Sequence, residues 1–167
     1  MRTIFSLLTI LTLFTFYSCT KPSAERIENI NGIDYSGNYT SQGYYYHPNG
    51  GRNINLAKGI YTHSLTSFLC EIGDLPSFIA DDSAWSIVLE VDPITNNVTI
   101  NPFPNVSNGP TDITMYTSLL PSPYTMQWPR SNECTNVYDP LTKEFKLRYG
   151  YYQGPALRIV EEIIKKN

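Results

Sequence analysis

Phe-Lys-Leu-Arg-Tyr-Gly-Tyr-Tyr, residues 145–152, is the segment that decides the fold class predicted for this chain. Apolar or aromatic residues alternate with polar residues or glycine, which is the period-two pattern of a strand with one buried face. Four side chains are therefore expected to point into a core: Phe145, Leu147, Tyr149 and Tyr151. Lys146 and Arg148 are expected on the opposite face of the strand.

The turn before this segment has a counterpart earlier in the chain. Residues 139–143 read Asp-Pro-Leu-Thr-Lys, and residues 92–96 read Asp-Pro-Ile-Thr-Asn. An Asp carboxylate can accept backbone hydrogen bonds, and proline presets the φ angle of the second turn position. Both segments are therefore predicted to be β-hairpin corners.

Shorter runs of aromatic and β-branched residues between turn residues predict the other strands. They cover residues 39–46, 52–57, 60–69, 85–91, 97–101 and 136–138, with weaker candidates at 113–119 and 124–128. Lys58-Gly59 is predicted to turn the chain, and Gly43 indicates either a β-bulge or a close approach of another backbone. Residues 157–166 fit a strand or a helix, and their β-branched content favours a strand.

The composition agrees with this fold class, because the chain contains 13 Tyr, 12 Pro and 10 Gly. Aromatic residues fit pleated sheets, whereas proline and glycine form turns. The sequence therefore predicts an all-β domain, an antiparallel barrel or sandwich of about eight strands that looks lipocalin-like.

The first 19 residues predict export and a lipid anchor. Arg2 is followed by an apolar run from Ile4 to Phe16 and then by Ser18-Cys19, which is typical of a lipoprotein signal peptide cleaved before the cysteine. The run is shorter than the roughly 20 apolar residues that a transmembrane helix needs. An ordinary secreted protein is the alternative interpretation.

The predicted organisation is a signal peptide at residues 1–18, a lipidated tether at 19–32 and a single β domain at 33–167. Acyl chains on Cys19 would hold the protein on the outer membrane, facing either the periplasm or the cell surface. Without Arg2, the chain has 11 basic and 15 acidic side chains, a net charge of −4. No basic stripe indicates nucleic acid as a partner.

Cys70 and Cys134 are the cysteines that remain beside Cys19. Export to an oxidising compartment permits a disulfide between them. Two separate buried thiols, which pack as small apolar groups, are the equal alternative. The sequence leaves both arrangements open.

Three segments together resemble a known type of domain. They read Ser-Gly-Asn-Tyr-Thr-Ser-Gln-Gly at 36–43, Tyr-Asp-Pro-Leu-Thr-Lys-Glu-Phe at 138–145, and Arg-Tyr-Gly-Tyr at 148–151 leading to Arg-Ile-Val-Glu-Glu at 158–162. The pattern is similar to an uncharacterised domain of outer-membrane lipoproteins from glycan-foraging gut anaerobes, often placed behind other domains in surface proteins tied to polysaccharide uptake. The resemblance covers about residues 33–166. It implies glycans and other surface uptake proteins as partners, and it supplies no catalytic residues.

The sequence contains no motif for catalysis, a metal or a cofactor. His47 and His63 are the only histidines, so a tetrahedral zinc site would lack ligands. There is no Gly-x-Ser-x-Gly elbow, phosphate loop, dinucleotide fingerprint or EF-hand pattern. We therefore expect a protein that is not an enzyme and needs no cofactor or metal.

Aromatic residues are the better candidates for a binding role. Residues 44–46 are three consecutive tyrosines, so at least one ring must face away from the core. Aromatic rings offer flat apolar faces with polar edges, which stack on sugar rings. The candidate ligand-binding residues are Tyr44, Tyr46, Trp85 and Trp128, and filling the core is the alternative for each. Ser83, within Asp-Ser-Ala at 82–84, is a candidate for O-glycosylation.

The sequence thus favours a lipid-anchored, non-catalytic binding protein at the outer membrane, with glycan fragments as the expected ligand. A lipocalin-like carrier of a small apolar molecule is one alternative. A structural or accessory subunit of a surface complex is the other. A dry internal cavity would favour the carrier, and an exposed aromatic platform would favour glycans.

Replacement of Cys19 tests the anchor. The Cys19→Ala variant is expected to lose its acyl chains and to move from the membrane fraction to the soluble fraction, because no other lipid attachment is predicted. Fractionation followed by intact-mass measurement checks this. A wild-type mass that corresponds to a free amino-terminal cysteine would contradict the anchor.

Overall fold

The computed structural model describes residues 32–75, 85–103, 110–117, 120–122 and 124–167. These residues form nine strands and a single turn of 3₁₀ helix at Ser131–Glu133. The strands are β1 (Gly37–Tyr46), β2 (Arg52–Thr62), β3 (Ser67–Glu71), β4 (Ser86–Val91), β5 (Val98–Pro102), β6 (Thr111–Met115), β7 (Val137–Asp139), β8 (Glu144–Gln153) and β9 (Ala156–Lys166). The predicted all-β class is confirmed, and residues 157–166 form a strand.

The strands form one antiparallel sheet in the order β5-β4-β3-β2-β1-β9-β8-β6, with β7 paired to β8. The two edges of the sheet meet where β5 lies beside β6 and β7. The amide of Val98 donates a hydrogen bond of 2.8 Å to the carbonyl of Asn136 at this seam. The sheet is therefore a nearly closed barrel of eight strands.

The barrel has two distinct ends. β1 begins at the N-terminal end, where Gly37 lies opposite Ile60 of β2 and Tyr39 lies opposite Lys166 of β9. Because each connection reverses the chain, the β2–β3, β4–β5 and β7–β8 turns also lie at the N-terminal end. The β1–β2, β3–β4 and β8–β9 connections lie at the opposite end, which is called the cleft end below.

Side chains fill the interior of the barrel. The alternation predicted for residues 145–152 is confirmed, because its four apolar side chains are buried in the core cluster. The ring of Tyr35 lies between those of Phe68 and Tyr138, with centroid separations of 4.9 and 4.6 Å. The predicted close approach at Gly43 is also present, since a Cβ atom there would lie 2.7 Å from the Cα of Glu162.

Two consecutive glutamates of β9 are buried on opposite sides of the barrel wall. Inside, Glu162 accepts hydrogen bonds from Lys58 Nζ at 2.6 Å, Ser41 Oγ at 2.7 Å and Tyr149 OH at 3.0 Å. Burial, together with the charge of Glu162, raises the pKa of Tyr149 well above its ordinary value, so this hydroxyl stays protonated and donates. The interior charge is therefore both paired and hydrogen-bonded, which a buried ion requires.

Outside the wall, Glu161 pairs with Arg148, which lies directly opposite on β8. Arg148 Nε lies 3.2 Å from Glu161 Oε1, and Ser131 Oγ donates to the same carboxylate at 2.5 Å. Arg148 also donates to the carbonyl of Thr117 and to Ser131. These contacts hold Thr117 and Ser131, which follow β6 in the chain, against the outer face of β8 and β9.

Three predictions about the strands were wrong. Lys58-Gly59 does not turn the chain, because β2 runs unbroken to Thr62. The single strand predicted at 60–69 is divided, because the chain turns at residues 63–66. Lys58 is a strand residue that points into the barrel, where its ammonium group forms an ion pair with the carboxylate of Glu162. Residues 124–128 are not a strand, because they cross outside the sheet, where Tyr124 OH donates to the carbonyl of Leu157 at 3.0 Å.

The possible disulfide between Cys70 and Cys134 is absent, since both are free, buried thiols. Cys70 belongs to the core cluster inside the barrel. Cys134 lies behind the wall, where its Sγ contacts the carbonyl of Glu162 at 3.7 Å. Burial raises the pKa of each thiol to about 12. The alternative of two separate buried thiols is therefore correct.

Leu147 and Lys146 provide a matched test of the faces of β8. Leu147 is fully buried, so Leu147→Ala is expected to lower the free energy of unfolding by about 2–5 kcal/mol. Lys146→Ala removes an ion pair with Asp139 that is partly exposed and is expected to cost at most about 1 kcal/mol. Chemical denaturation measures both, and equal losses would contradict the assigned faces.

The interior ion pair gives a second stability test. Lys58→Met leaves the carboxylate of Glu162, whose side chain is 0% exposed, without its cation. Breaking a buried pair in this way typically costs about 3–5 kcal/mol. The double variant Lys58→Met/Glu162→Leu removes both charges and is expected to recover much of that loss in chemical denaturation. A double variant that is as unstable as the sum of two independent losses would show that the pair is not coupled.

Candidate binding cleft

A cleft of about 450 Å³ opens at the cleft end of the barrel. Its lining residues come from β1, β2, β8 and β9 and from the segments that flank the β3–β4 connection, and they include Tyr45, His47, Arg52, Asp74, Leu75, Trp85, Tyr151 and Arg158. The hairpin between β8 and β9 is tight, with Gln153 paired to Ala156 and a positive φ of 59° at Gly154. This turn brings Tyr151 and Arg158, which pair across the two strands, to the wall of the cleft.

Aromatic rings form the apolar part of the cleft. Tyr45 and Tyr151 are buried at its base. Burial, together with the neighbouring side chain of Tyr45, raises the pKa of Tyr151 well above its ordinary value, so it remains neutral. Trp85 is half-buried and packs on the edge of the core. Trp85 also lines the cleft, where an indole can offer a flat apolar surface.

Two arginines supply positive charge to the cleft, and their bonding differs. Arg52 forms an ion pair with Asp74, which raises the pKa of Arg52, and its guanidinium lies 5.1 Å from the Tyr45 ring centroid. The guanidinium carbon of Arg158 lies 5.9 Å from the centroid of the Tyr151 ring. Its Nη2 atom lies 3.4 Å from Nε2 of His47. The Nε and Nη1 atoms of Arg158 are shielded from solvent and have no hydrogen-bond partner among the described residues.

This arrangement suits a ligand with both a flat apolar face and a carboxylate. A guanidinium presents parallel N–H donors that match the two oxygens of a carboxylate. A buried donor without a partner carries a free-energy penalty, which a ligand oxygen would remove. The only carboxylate among the described lining residues is that of Asp74, and Arg52 already holds it.

A second concavity, of about 400 Å³, lies on the outer face of β1 and β2. Three amide side chains line it, from Gln42, Asn53 and Asn55, and Trp128 closes one side. The guanidinium of Arg130 lies 5.9 Å from the Trp128 ring centroid. This outer groove combines an indole with amide side chains, which are neutral hydrogen-bond donors and acceptors. The cleft differs because it carries charged guanidinium groups.

The four predicted aromatic residues do not meet in one site. Trp85 lines the cleft and Trp128 lines the outer groove. Tyr44 and Tyr46 face outward from β1, as expected for consecutive tyrosines, and the Tyr46 ring packs edge-on against Tyr124 at 4.1 Å. Their roles in binding stay predictions.

Sequence reasoning missed Tyr45, Tyr151 and the two arginines of the cleft. Each lies at the end of a strand beside a glycine-containing turn, His47–Gly51 or Gln153–Pro155. In an antiparallel sheet, every second turn along the chain lies at the same end. The order of the turns could therefore have indicated which turns share an end. It could not have indicated the strand register that brings these residues together.

Several of the predicted features lie outside the residues that the structure describes. The signal peptide at 1–18, the anchor Cys19 and the candidate glycosylation residue Ser83 fall outside the described ranges. Among the residues the structure describes, no three His, Cys, Asp or Glu side chains are grouped as metal ligands. The same part of the chain contains no helix of the length and apolarity needed to cross a membrane.

No protein-family model, curated protein or solved structure matches this chain. The candidate site is accordingly defined by the geometry of its own residues.

Proposed function

We propose that this protein is a lipid-anchored, non-catalytic binding protein of the outer membrane that holds glycan fragments in the cleft. The observation that carries the proposal is that one cavity combines the half-buried Trp85 with Arg158, two of whose donor atoms have no partner among the residues that the structure describes. The signal sequence ending at Ser18-Cys19 supports the location. The resemblance to domains of surface proteins tied to polysaccharide uptake supports the ligand class and other uptake proteins as partners.

Sugars fit the cleft because they combine an apolar ring face with a polar rim. The indole of Trp85 offers a surface for the ring face, and stacking of this kind contributes on the order of 1 kcal/mol per ring. With one partly exposed indole in the cleft, binding is expected to be weak. His47 and Gln153 also line the cleft, where they can form hydrogen bonds with sugar hydroxyl groups.

Acidic sugars are favoured over neutral ones by the charges of the cleft. Two arginines face one aspartate there, and Asp74 is engaged by Arg52. Arg158 is thus left to pair with a ligand carboxylate, because a guanidinium donates charge-assisted hydrogen bonds to carboxylate oxygens. A uronic acid unit stacked on Trp85 would satisfy both features.

The filled interior supports an open cleft over an internal carrier site. Aromatic side chains and the Lys58–Glu162 pair occupy the space between the strands, where a lipocalin-like carrier would hold its apolar ligand.

Calorimetry with paired sugars tests the proposal. Trigalacturonate is expected to bind the wild type more tightly than its methyl ester, because the ester lacks the charge that Arg158 recognises. Trp85→Ala should weaken both sugars about five-fold, as expected for one lost stacking contact. Arg158→Gln should weaken the acid by roughly ten-fold or more, as expected for a lost bond to a charged group, and should change the ester little.

Two control variants separate the cleft from the outer groove. Arg130→Gln removes an arginine from the neighbourhood of Trp128 and should leave binding in the cleft unchanged. Trp128→Ala should do the same. Loss of binding in Trp128→Ala but not in Trp85→Ala would move the site to the outer groove. Absence of binding to any glycan in a host and plant panel would refute the proposed function.

A further inference from the structure

Among the residues that the structure describes, the exposed leucine and isoleucine side chains lie at the N-terminal end of the barrel. The three turns there each carry one, with exposed fractions of 53% for Leu65, 89% for Ile94 and 94% for Leu141. Single exposed apolar residues are ordinary on protein surfaces. Three of them at the tips of three turns on one end form a defined feature, called the apolar tips below.

The two most exposed tips are held in place by the turns themselves. Asp92 Oδ1 accepts hydrogen bonds from the amides of Ile94 at 2.8 Å and Thr95 at 3.1 Å. Asp139 Oδ1 accepts from the amides of Leu141 at 3.0 Å and Thr142 at 3.3 Å. The aspartates bond only the backbone of the tip residues, so a polar side chain would serve the turn equally well. The aliphatic groups therefore contribute nothing to the turn that a polar residue could not.

The β4–β5 and β7–β8 turns are neighbours at the seam of the barrel. Asn97 pairs with Val137, and the amide of Tyr138 donates to the carbonyl of Asn96 at 2.8 Å. Ile94 and Leu141 consequently project from adjacent turns. Lys143 and Lys165 are exposed beside them, and long basic side chains can reach phosphate groups while apolar neighbours lie deeper.

The chain enters the barrel at this same end. Lys166 Nζ donates to the carbonyl of Asp34 at 2.6 Å, which holds the residues before β1 against the end of β9. Cys19 lies 13 residues before Gly32, a span of at most about 45 Å when fully extended. An acyl group on Cys19 would therefore hold the N-terminal end within about 45 Å of the bilayer, and the apolar tips lie at that same end.

We infer that the apolar tips rest in the interfacial layer of the membrane that carries the anchor, so that the cleft faces away from it. This inference rests on the proposed lipid anchor. The acyl chains supply the affinity, whereas the tips fix the orientation, since few aliphatic side chains alone bind a bilayer weakly. Separate tips on protruding turns suit the soft interface of a lipid bilayer, and a protein partner would need a continuous patch.

Site-specific fluorescence on vesicles tests the orientation. Ile94→Cys, Leu141→Cys and, at the cleft end, Gln153→Cys each provide one exposed thiol for an environment-sensitive dye, while the buried Cys70 and Cys134 are protected from labelling. The lipidated protein is added to vesicles of phosphatidylethanolamine and phosphatidylglycerol. Dyes at positions 94 and 141 are expected to shift their emission to the blue and to be quenched by nitroxide lipids. The dye at position 153 should show neither change.

Flotation of the same vesicles separates the two proposals. Protein that floats with the vesicles while all three dyes behave as in water overturns the orientation and leaves the anchor intact. Protein that does not float overturns both. Water-like dyes at 94 and 141 together with cross-linking of these positions to another protein would assign the apolar tips to a protein contact, which also overturns the inference.

Discussion

Two adjacent glutamates on β9 face opposite sides of the barrel wall, and each is buried against one cation. Glu162 points inward to Lys58, and Glu161 points outward to Arg148. A shift of β9 by one residue would exchange its two faces. Either direction of shift would leave Lys58 or Arg148 without its carboxylate, and an unpaired buried charge is strongly destabilising. The glutamate pair therefore fixes the register of β9 between β1 and β8.

The register of β9 in turn determines where the cleft residues stand. Arg158 lies opposite Tyr151 because β8 and β9 are aligned by the pairs that follow, including Arg148 with Glu161. Tyr45 lies opposite Val160 on the other side of β9. The same alignment places Lys166 beside the chain entry at the opposite end. The barrel thus separates the cleft, with its aromatic and charged residues, at one end from the apolar tips at the other end.

Local sequence pattern predicted the parts of the structure that depend on near neighbours. The alternation in residues 145–152 and the two Asp-Pro turns depend on side-chain periodicity and on hydrogen bonds within four residues, so they were read correctly. The prediction failed at Lys58, where a lysine followed by glycine looked like a turn. Its side chain belongs inside the barrel because Glu162, 104 residues away, provides the counter-charge there.

The sequence by itself determined the fold class and the positions of most turns, because strand periodicity and turn chemistry are local, and it favoured a strand over a helix at residues 157–166. Tertiary structure alone decided which strand ends meet at the cleft, that Cys70 and Cys134 lie on different sides of the wall, and that Trp85 and Trp128 belong to separate concavities. These features depend on closing a sheet whose strand order and register are set by contacts between distant residues. Such contacts leave no periodic signal in the residues on either side.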